Sequence, residues 1–167
     1  MLVVLFRHGI AVDREEWSGE ESQRPLTPKG IKRAREAAKG LLALELAPIH
    51  LLTSPLARAL ETAKLVREAL KPRVDLQIRH ELLPDANPDK MIQVLAEFDE
   101  DACVVCVGHE PHLGDLAGVM LFGKPGAGLA LKKAGACLIR FDAVPKAGRG
   151  HLQWWLTSSQ LRLMANT

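Results

Sequence analysis

The sequence predicts an α/β fold, a three-layer sandwich with a mostly parallel central sheet and helices on both faces. Three observations predict it. Short apolar runs alternate along the chain with longer stretches of helical period. Two of those runs, residues 2–6 and 102–107, are apolar without alternation, as strands covered on both faces are. Two of the helical stretches follow Thr27-Pro28 and Ser54-Pro55, each a capping hydroxyl followed by a proline suited to the first helical position.

Taken in order, residues 2–6 form a strand that stops abruptly at Arg7-His8-Gly9. Residues 13–24 are polar and aperiodic and read as a surface loop. Thr27-Pro28 opens an amphipathic helix whose stripe is Ile31, Ala34, Ala38, Leu41 and Leu42, ending near Pro48. A short strand covers 49–53. Ser54-Pro55 opens a second helix with Leu56, Ala59, Leu60, Ala63, Val66 and Leu70 on its buried face. Residues 74–78 alternate with Asp75 and Gln77 and read as an edge strand. A helix follows over 88–98. The most apolar strand, 102–107, is closed by Gly108-His109, and another helix covers 113–121. Residues 123–135 are a glycine-rich, basic connection. An antiparallel pair, 137–141 and 152–156, flanks the turn-rich VPKAGRG, and a short helix covers 158–164.

The 167 residues are enough for one well-buried core, so a single domain over 1–167 is expected. A net charge of +2 selects neither nucleic acid nor an anionic membrane. The charged start MLVVLFRHG and the absence of a long apolar run lead to the expectation of a cytoplasmic protein. Cys103 and Cys106 are spaced as C-x-x-C, but on a strand they face opposite sides and read as buried structural thiols, as does Cys137. No carboxylate or histidine cluster has metal-ligand spacing, so neither a metal nor another cofactor is expected.

Ligands of parallel sheets bind at the carboxyl ends of the strands. Arg7 and His8 follow one predicted strand and His109 another, while Arg58 lies in the first turn of the helix after a third. All four can meet at one edge. Two guanidiniums suit phosphate oxygens, and a neutral imidazole, with an ordinary pKa of about 6.5, can attack phosphorus. A second imidazole, protonated, would stabilise the transferring group.

Four blocks, FRHG at 6–9, RPLTPKG at 24–30, TSPLARALETA at 53–63 and VGHEPHLGDLAG at 107–118, resemble the histidine phosphatase superfamily with its phosphoglycerate mutase-like fold. The spacing, KKAGACLIRFD and QWWLTSSQLRLM are similar to the SixA-type phosphohistidine phosphatases. The resemblance implies a metal-independent phosphatase with His8 as the phosphorylated nucleophile, Arg7 and Arg58 as the phosphate clamp and His109 as the second histidine. It places Arg24 within reach of the phosphate. Glu81 lies where relatives acting on phosphate esters carry a proton donor, and Glu110 is a rival for that role. Ile10 departs from the acidic residue that follows RHG in some relatives.

The implied substrate is a phosphohistidine protein in signal transduction, with a phosphatase or mutase for a small phosphate ester as the alternative and a non-catalytic phosphoprotein-binding module as a third reading. Relatives that enclose sugar phosphates carry an extra helical insertion between the second arginine and the second histidine. Arg58 and His109 are only 51 residues apart, which leaves no room for one. His112 reads as a packing or helix-start residue. Lys132 and Lys133 read as a solvated pair or a docking point for an acidic protein face. Of the adjacent Trp154 and Trp155, one is expected in the core and the other exposed or under a helix.

Overall fold

The computed structural model describes residues 1–48, 50–70 and 74–166. Its strands are β1 (Leu2–Arg7), β2 (His50–Thr53), β3 (Asp75–Ile78), β4 (Cys103–Gly108), β5 (Ala136–Arg140) and β6 (His151–Leu156). Its helices are α1 (Pro28–Leu42), α2 (Ala57–Leu70), α3 (Pro88–Leu95), α4 (His112–Phe122) and α5 (Ser158–Met164). The strands form one sheet in the order β3-β2-β4-β1-β5-β6. The first four in that order run parallel, and β5 and β6 continue it antiparallel.

Side chains alternate across the sheet and build two cores. Val4, Phe6, Val105 and Val107 face α1, α2 and α5, whereas Val3, Leu5, Val104 and Cys106 face α3 and α4. Phe6 and Leu5 are fully enclosed; burying such a side chain stabilises by about 1.5–3 kcal/mol. The sandwich has the three layers expected from alternating strands and helices, with β3 at an edge.

Several boundaries differ from the sequence reading. Helix α1 ends at Leu42, well before Pro48, in a turn that puts Glu45 at φ 53°. The loop at 13–24 contains a 3-10 turn, Glu21–Gln23. Ile49, read as the start of β2, lies outside the described residues. Helix α3 stops at Leu95, where Ala96 bonds back to the Ile92 carbonyl, rather than at Phe98. Trp154 and Trp155 are both half-buried, packed against opposite cores, so neither is the exposed one.

Thr27 caps α1 as predicted, its Oγ1 accepting from the Gly30 N–H at 3.0 Å. Ser54 does not cap α2 in that way. The first α2 turn closes on the Leu56 carbonyl, which accepts from Ala59 and Leu60, while the Ser54 hydroxyl accepts from the Leu56 N–H at 3.3 Å. Gly30 is required where it stands, because a Cβ there would lie 2.0 Å from the Ile10 carbonyl oxygen. This close approach presses α1 onto the turn that follows His8.

Candidate active site

Backbone hydrogen bonds beyond the strand ladder hold three strand ends at one edge. The His8 N–H donates to the Gly108 carbonyl at 3.0 Å, Ser54 to Val107 at 3.1 Å and Arg79 to Thr53 at 2.8 Å. The chain after β1 therefore starts beside the chain after β4, and Ser54 sits across from both. Thr62 fixes α2 to the same edge. Its hydroxyl accepts from the Gly9 N–H at 3.0 Å and donates to the Arg58 carbonyl at 2.7 Å.

The structure brings Arg7, His8, Arg58 and His109 together. The two imidazole centroids are 5.0 Å apart. His8 is 7% exposed, Arg58 5% and His109 2%. Nδ1 of His8 lies 2.7 Å from the carbonyl oxygen of Gly9. A carbonyl can only accept, so Nδ1 carries the proton and Nε2 keeps the lone pair. Nε2 of His109 pairs with the Ser54 hydroxyl at 2.8 Å. Nε of Arg7, Nε of Arg58 and Nδ1 of His109 are shielded and have no partner among the described residues. Buried polar atoms are seldom left so, and these three belong to the arginines and the second histidine gathered around His8.

Electrostatics differ from the sequence expectation of one neutral and one protonated histidine. Burial, joined by the charges of Arg58, Arg7 and Lys133, pushes His8 down to about 3 against the opposing pull of the Gly9 carbonyl. Burial, with His8 and the same two arginines, pushes His109 down to about 2. Facing the arginines alone, both rings are neutral at pH 7. A phosphate dianion offsets those positive charges and favours a proton on His109.

Arg7 is held by its own short chain of contacts. Its Nη1 donates to the Leu131 carbonyl at 2.8 Å. The Leu131 N–H donates to one Glu110 carboxylate oxygen at 2.9 Å, and the Gly114 N–H donates to the other at 3.2 Å. Glu110, the rival proton donor, thus has both oxygens engaged in tying α4 to the 131 loop. Burial raises its pKa, with those two N–H groups opposing. Glu81 lies in a 3-10 turn, His80–Leu82, and is half-buried. The Leu82 carbonyl of that turn packs 3.5 Å from the Cβ position of Gly108, so Glu81 is at the right edge of the sheet.

Arg24 lies near enough to Arg58 for the two charges to act on each other, and a carboxylate that the sequence reading missed stands between them. Glu21 accepts from Arg24 Nε at 3.0 Å and Nη2 at 2.9 Å, and its Oε1 lies 3.4 Å from Arg58 Nη2 and 3.3 Å from Arg14 Nη2. The hydrogen bonds from Arg24, then the three positive charges, hold Glu21 down at about 2. Arg24 Nη1 is spent on the Val12 carbonyl at 2.7 Å. Ser54, Thr62 and Glu21 were each legible only as a cap, a helix residue and a loop carboxylate. The one available signal was Ser54 and Thr62 lying within the same block as Arg58.

His112 begins α4, is 2% exposed and has neither ring nitrogen partnered among the described residues; burial lowers its pKa. The three cysteines are free and buried, with Cys103 pushed up to about 11 and Cys106 to about 12 by burial. Among the described residues no group of three or more His, Cys, Asp or Glu could hold a metal ion, and no helix is long and apolar enough to cross a membrane.

An α/β sandwich with two arginines and two histidines at the carboxyl edge of its sheet defines a phosphatase of the phosphoglycerate mutase-like fold. Residues 3–83 match the family model for the histidine phosphatase superfamily (branch 1). An uncharacterized protein of Picosynechococcus is 40% identical over 146 residues, spanning 86% of this chain and 87% of that relative. The chain belongs to the histidine phosphatase superfamily. Its fold is similar to that of the protein histidine phosphatase SixA complexed with tungstate, with a TM-score of 0.84 at 24% identity over 96% of this chain and 99% of the other. A mycobacterial glucosyl-3-phosphoglycerate phosphatase shares the fold at a TM-score of 0.67 and 18% identity, over 93% of this chain and 98% of that one.

Proposed function

We propose that this protein removes phosphate from phosphohistidine on a partner protein, by way of a phosphoryl group carried on His8. The observation that carries the chemistry is the His8 tautomer, with Nδ1–H bonded to Gly9 and the Nε2 lone pair left to attack. Nε2 forms a bond to phosphorus as the bond from phosphorus to the substrate's imidazole nitrogen breaks. Arg7, Arg58 and the His109 ring surround the phosphoryl oxygens. Their nitrogens, unpartnered among the described residues, supply donors for charge that builds in the transition state. Water then attacks phosphorus, orthophosphate leaves, and the electron pair returns to Nε2.

Two features support phosphohistidine over a sugar phosphate. Between β3 and α3 the chain has room only for residues 79–87, of which three form the turn at Glu81, so no helical insertion covers the pocket and a side chain projecting from a folded protein can enter. The leaving imidazole, whose conjugate acid has a pKa of about 6.5, departs without a strong acid, whereas an alkoxide needs one. The likeness in fold to a protein histidine phosphatase points the same way. The second reading, a small phosphate ester, is favoured by Glu81, which sits beside the end of β4 where a donor to a leaving oxygen would be useful.

Rapid quenching with labelled substrate should trap acid-labile, base-stable phosphate on His8, and His8→Ala should abolish turnover. Label on any other residue would overturn the mechanism. The specificity constant should be higher for a phosphohistidine protein than for any sugar phosphate, and Glu81→Gln should slow ester hydrolysis much more than phosphohistidine hydrolysis. Efficient turnover of a sugar phosphate with the phosphoprotein untouched would select the ester reading.

A further inference from the structure

A groove opens from Arg7 between α1, the 131–134 loop and the start of α5. Among the described residues five cations line it, Arg7, Arg33, Lys132, Lys133 and Arg162, and no carboxylate does. Ile10 stands on the wall where an acidic side chain would cancel part of that charge. An adjoining depression adds Lys29 and Lys32 beside Arg33, with Glu36 as its one carboxylate among the described residues. The chain as a whole carries only +2, so this is a local concentration of charge rather than a share of a general excess.

Most of these cations are unspent. Arg162 lies 3.6 Å from Glu36. Among the described residues Arg33, Lys132 and Lys133 have no ion pair and no side-chain hydrogen bond, although Arg33, on α1, is half-buried. The Ser158 hydroxyl and Arg162 Nε, both on the groove wall, are shielded from solvent without a partner among the described residues.

The groove is also rigidly joined to the catalytic edge. The Ala134 N–H is shared between the Arg7 and His8 carbonyls, at 3.2 and 3.1 Å, and the Arg7 N–H donates to the Gly135 carbonyl at 3.0 Å. Lys132 and Lys133 are therefore held next to the strand end that carries the nucleophile. Lys133 is near enough for its charge to act on His8.

We propose that this groove seats an acidic segment of the phosphorylated protein, its carboxylates meeting Arg33, Lys132 and Lys133 while the phosphohistidine enters between Arg7 and Arg58. The proposal rests on the phosphohistidine reading and names the chemistry of the partner. The cations come from three separate segments, α1, the 131–134 loop and α5, so a ligand that engages them together is extended and carries several negative charges. A single phosphate is already supplied with donors by Arg7, Arg58 and His109. Exposed pairs of this kind give selectivity and fast encounter, and they weaken with salt.

The probe is a fluorescent peptide with glutamates on both sides of one histidine, compared with its glutamine counterpart, by anisotropy at low salt. The glutamate peptide should bind wild-type protein about tenfold tighter or more, and Arg33→Glu/Lys132→Glu should remove that preference. Should the reversal fail to fold, Arg33→Gln/Lys132→Gln should show a smaller loss of the same sign. Lys146→Glu/Arg149→Glu, which reverses two cations at a separate depression beside Asp142, should retain the preference. Equal affinity for the two peptides, or an equal loss in that control, would overturn the groove. The histidine-phosphorylated peptides are then assayed for turnover. Charge-dependent binding without dephosphorylation by wild-type protein keeps the groove and sinks the phosphohistidine reading instead.

Discussion

Ser54→Ala tests whether the hydroxyl beside His109 positions the second histidine for chemistry. The Ser54–His109 bond, at 2.8 Å, is the only hydrogen bond the ring makes among the described residues, because Nδ1 has none there. Ser54 is fully buried and His109 is 2% exposed, so water does not simply replace the hydroxyl. Leaving one buried polar atom unpaired costs about 1–3 kcal/mol. For a chain of this size that lowers Tm by roughly 2–12 °C, at about 2–4 °C per kcal/mol. The kinetic effect is a separate quantity. If the bond strengthens as His109 takes up positive charge beside the phosphoryl group, about 1.4–3 kcal/mol is lost from the transition state, and kcat falls about 10- to 100-fold with a smaller change in KM. Steady-state hydrolysis of an aryl phosphate, run beside thermal unfolding of the same samples, separates the two. Ser54→Cys, with a weaker donor and acceptor, should fall between. A variant that melts earlier but keeps kcat within about twofold would show that Ser54 supports the fold and has no part in positioning His109 for catalysis.

Two further outcomes follow from the same geometry. Because His8 is pushed down to about 3, it stays neutral as the pH falls from 7 to 5, so kcat/KM should hold over that range once ionisation of the ester is allowed for. A loss centred near 6.5 would show an unperturbed nucleophile. Stability should move the other way: the unfolded chain takes protons on these histidines below about 6.5 while the folded one does not, so stability falls with pH below that value, by up to about 1.4 kcal/mol per unit for each such ring. His109→Gln should flatten this slope in denaturant titrations; an unchanged slope would refute the assignment. Gly30→Ala places a Cβ 2.0 Å from the Ile10 carbonyl oxygen and 2.9 Å from its carbon, backbone atoms that no rotamer change can move away. It should destabilise by about 1–3 kcal/mol and reduce activity through the displaced His8 turn, whereas wild-type Tm and kcat would show that α1 can shift freely.

The amino-acid sequence by itself determined the alternation of strands and helices, the two-sided burial of 2–6 and 102–107, the Thr27 cap and the placing of Arg7, His8, Arg58 and His109 at element ends. Those signals are local: hydrophobic period, capping hydroxyls and proline act within a few residues, and a strand end is marked where the apolar run stops. Boundaries set by the same local logic still slipped where a turn took over, as at Leu42 and Leu95. What only the tertiary structure decided is how those ends face one another. Ser54 reaches His109 because β2 and β4 are neighbours in a particular register, 55 residues apart in sequence. Glu21 meets Arg58, Glu110 braces the loop that holds Arg7, and α1, α5 and the 131–134 loop pool their cations. The neutrality of His109 belongs to the same class, since it comes from burial among charges contributed by several strands and helices. Each of these depends on desolvation and distance in three dimensions, which strand order and packing create and one-dimensional spacing does not encode.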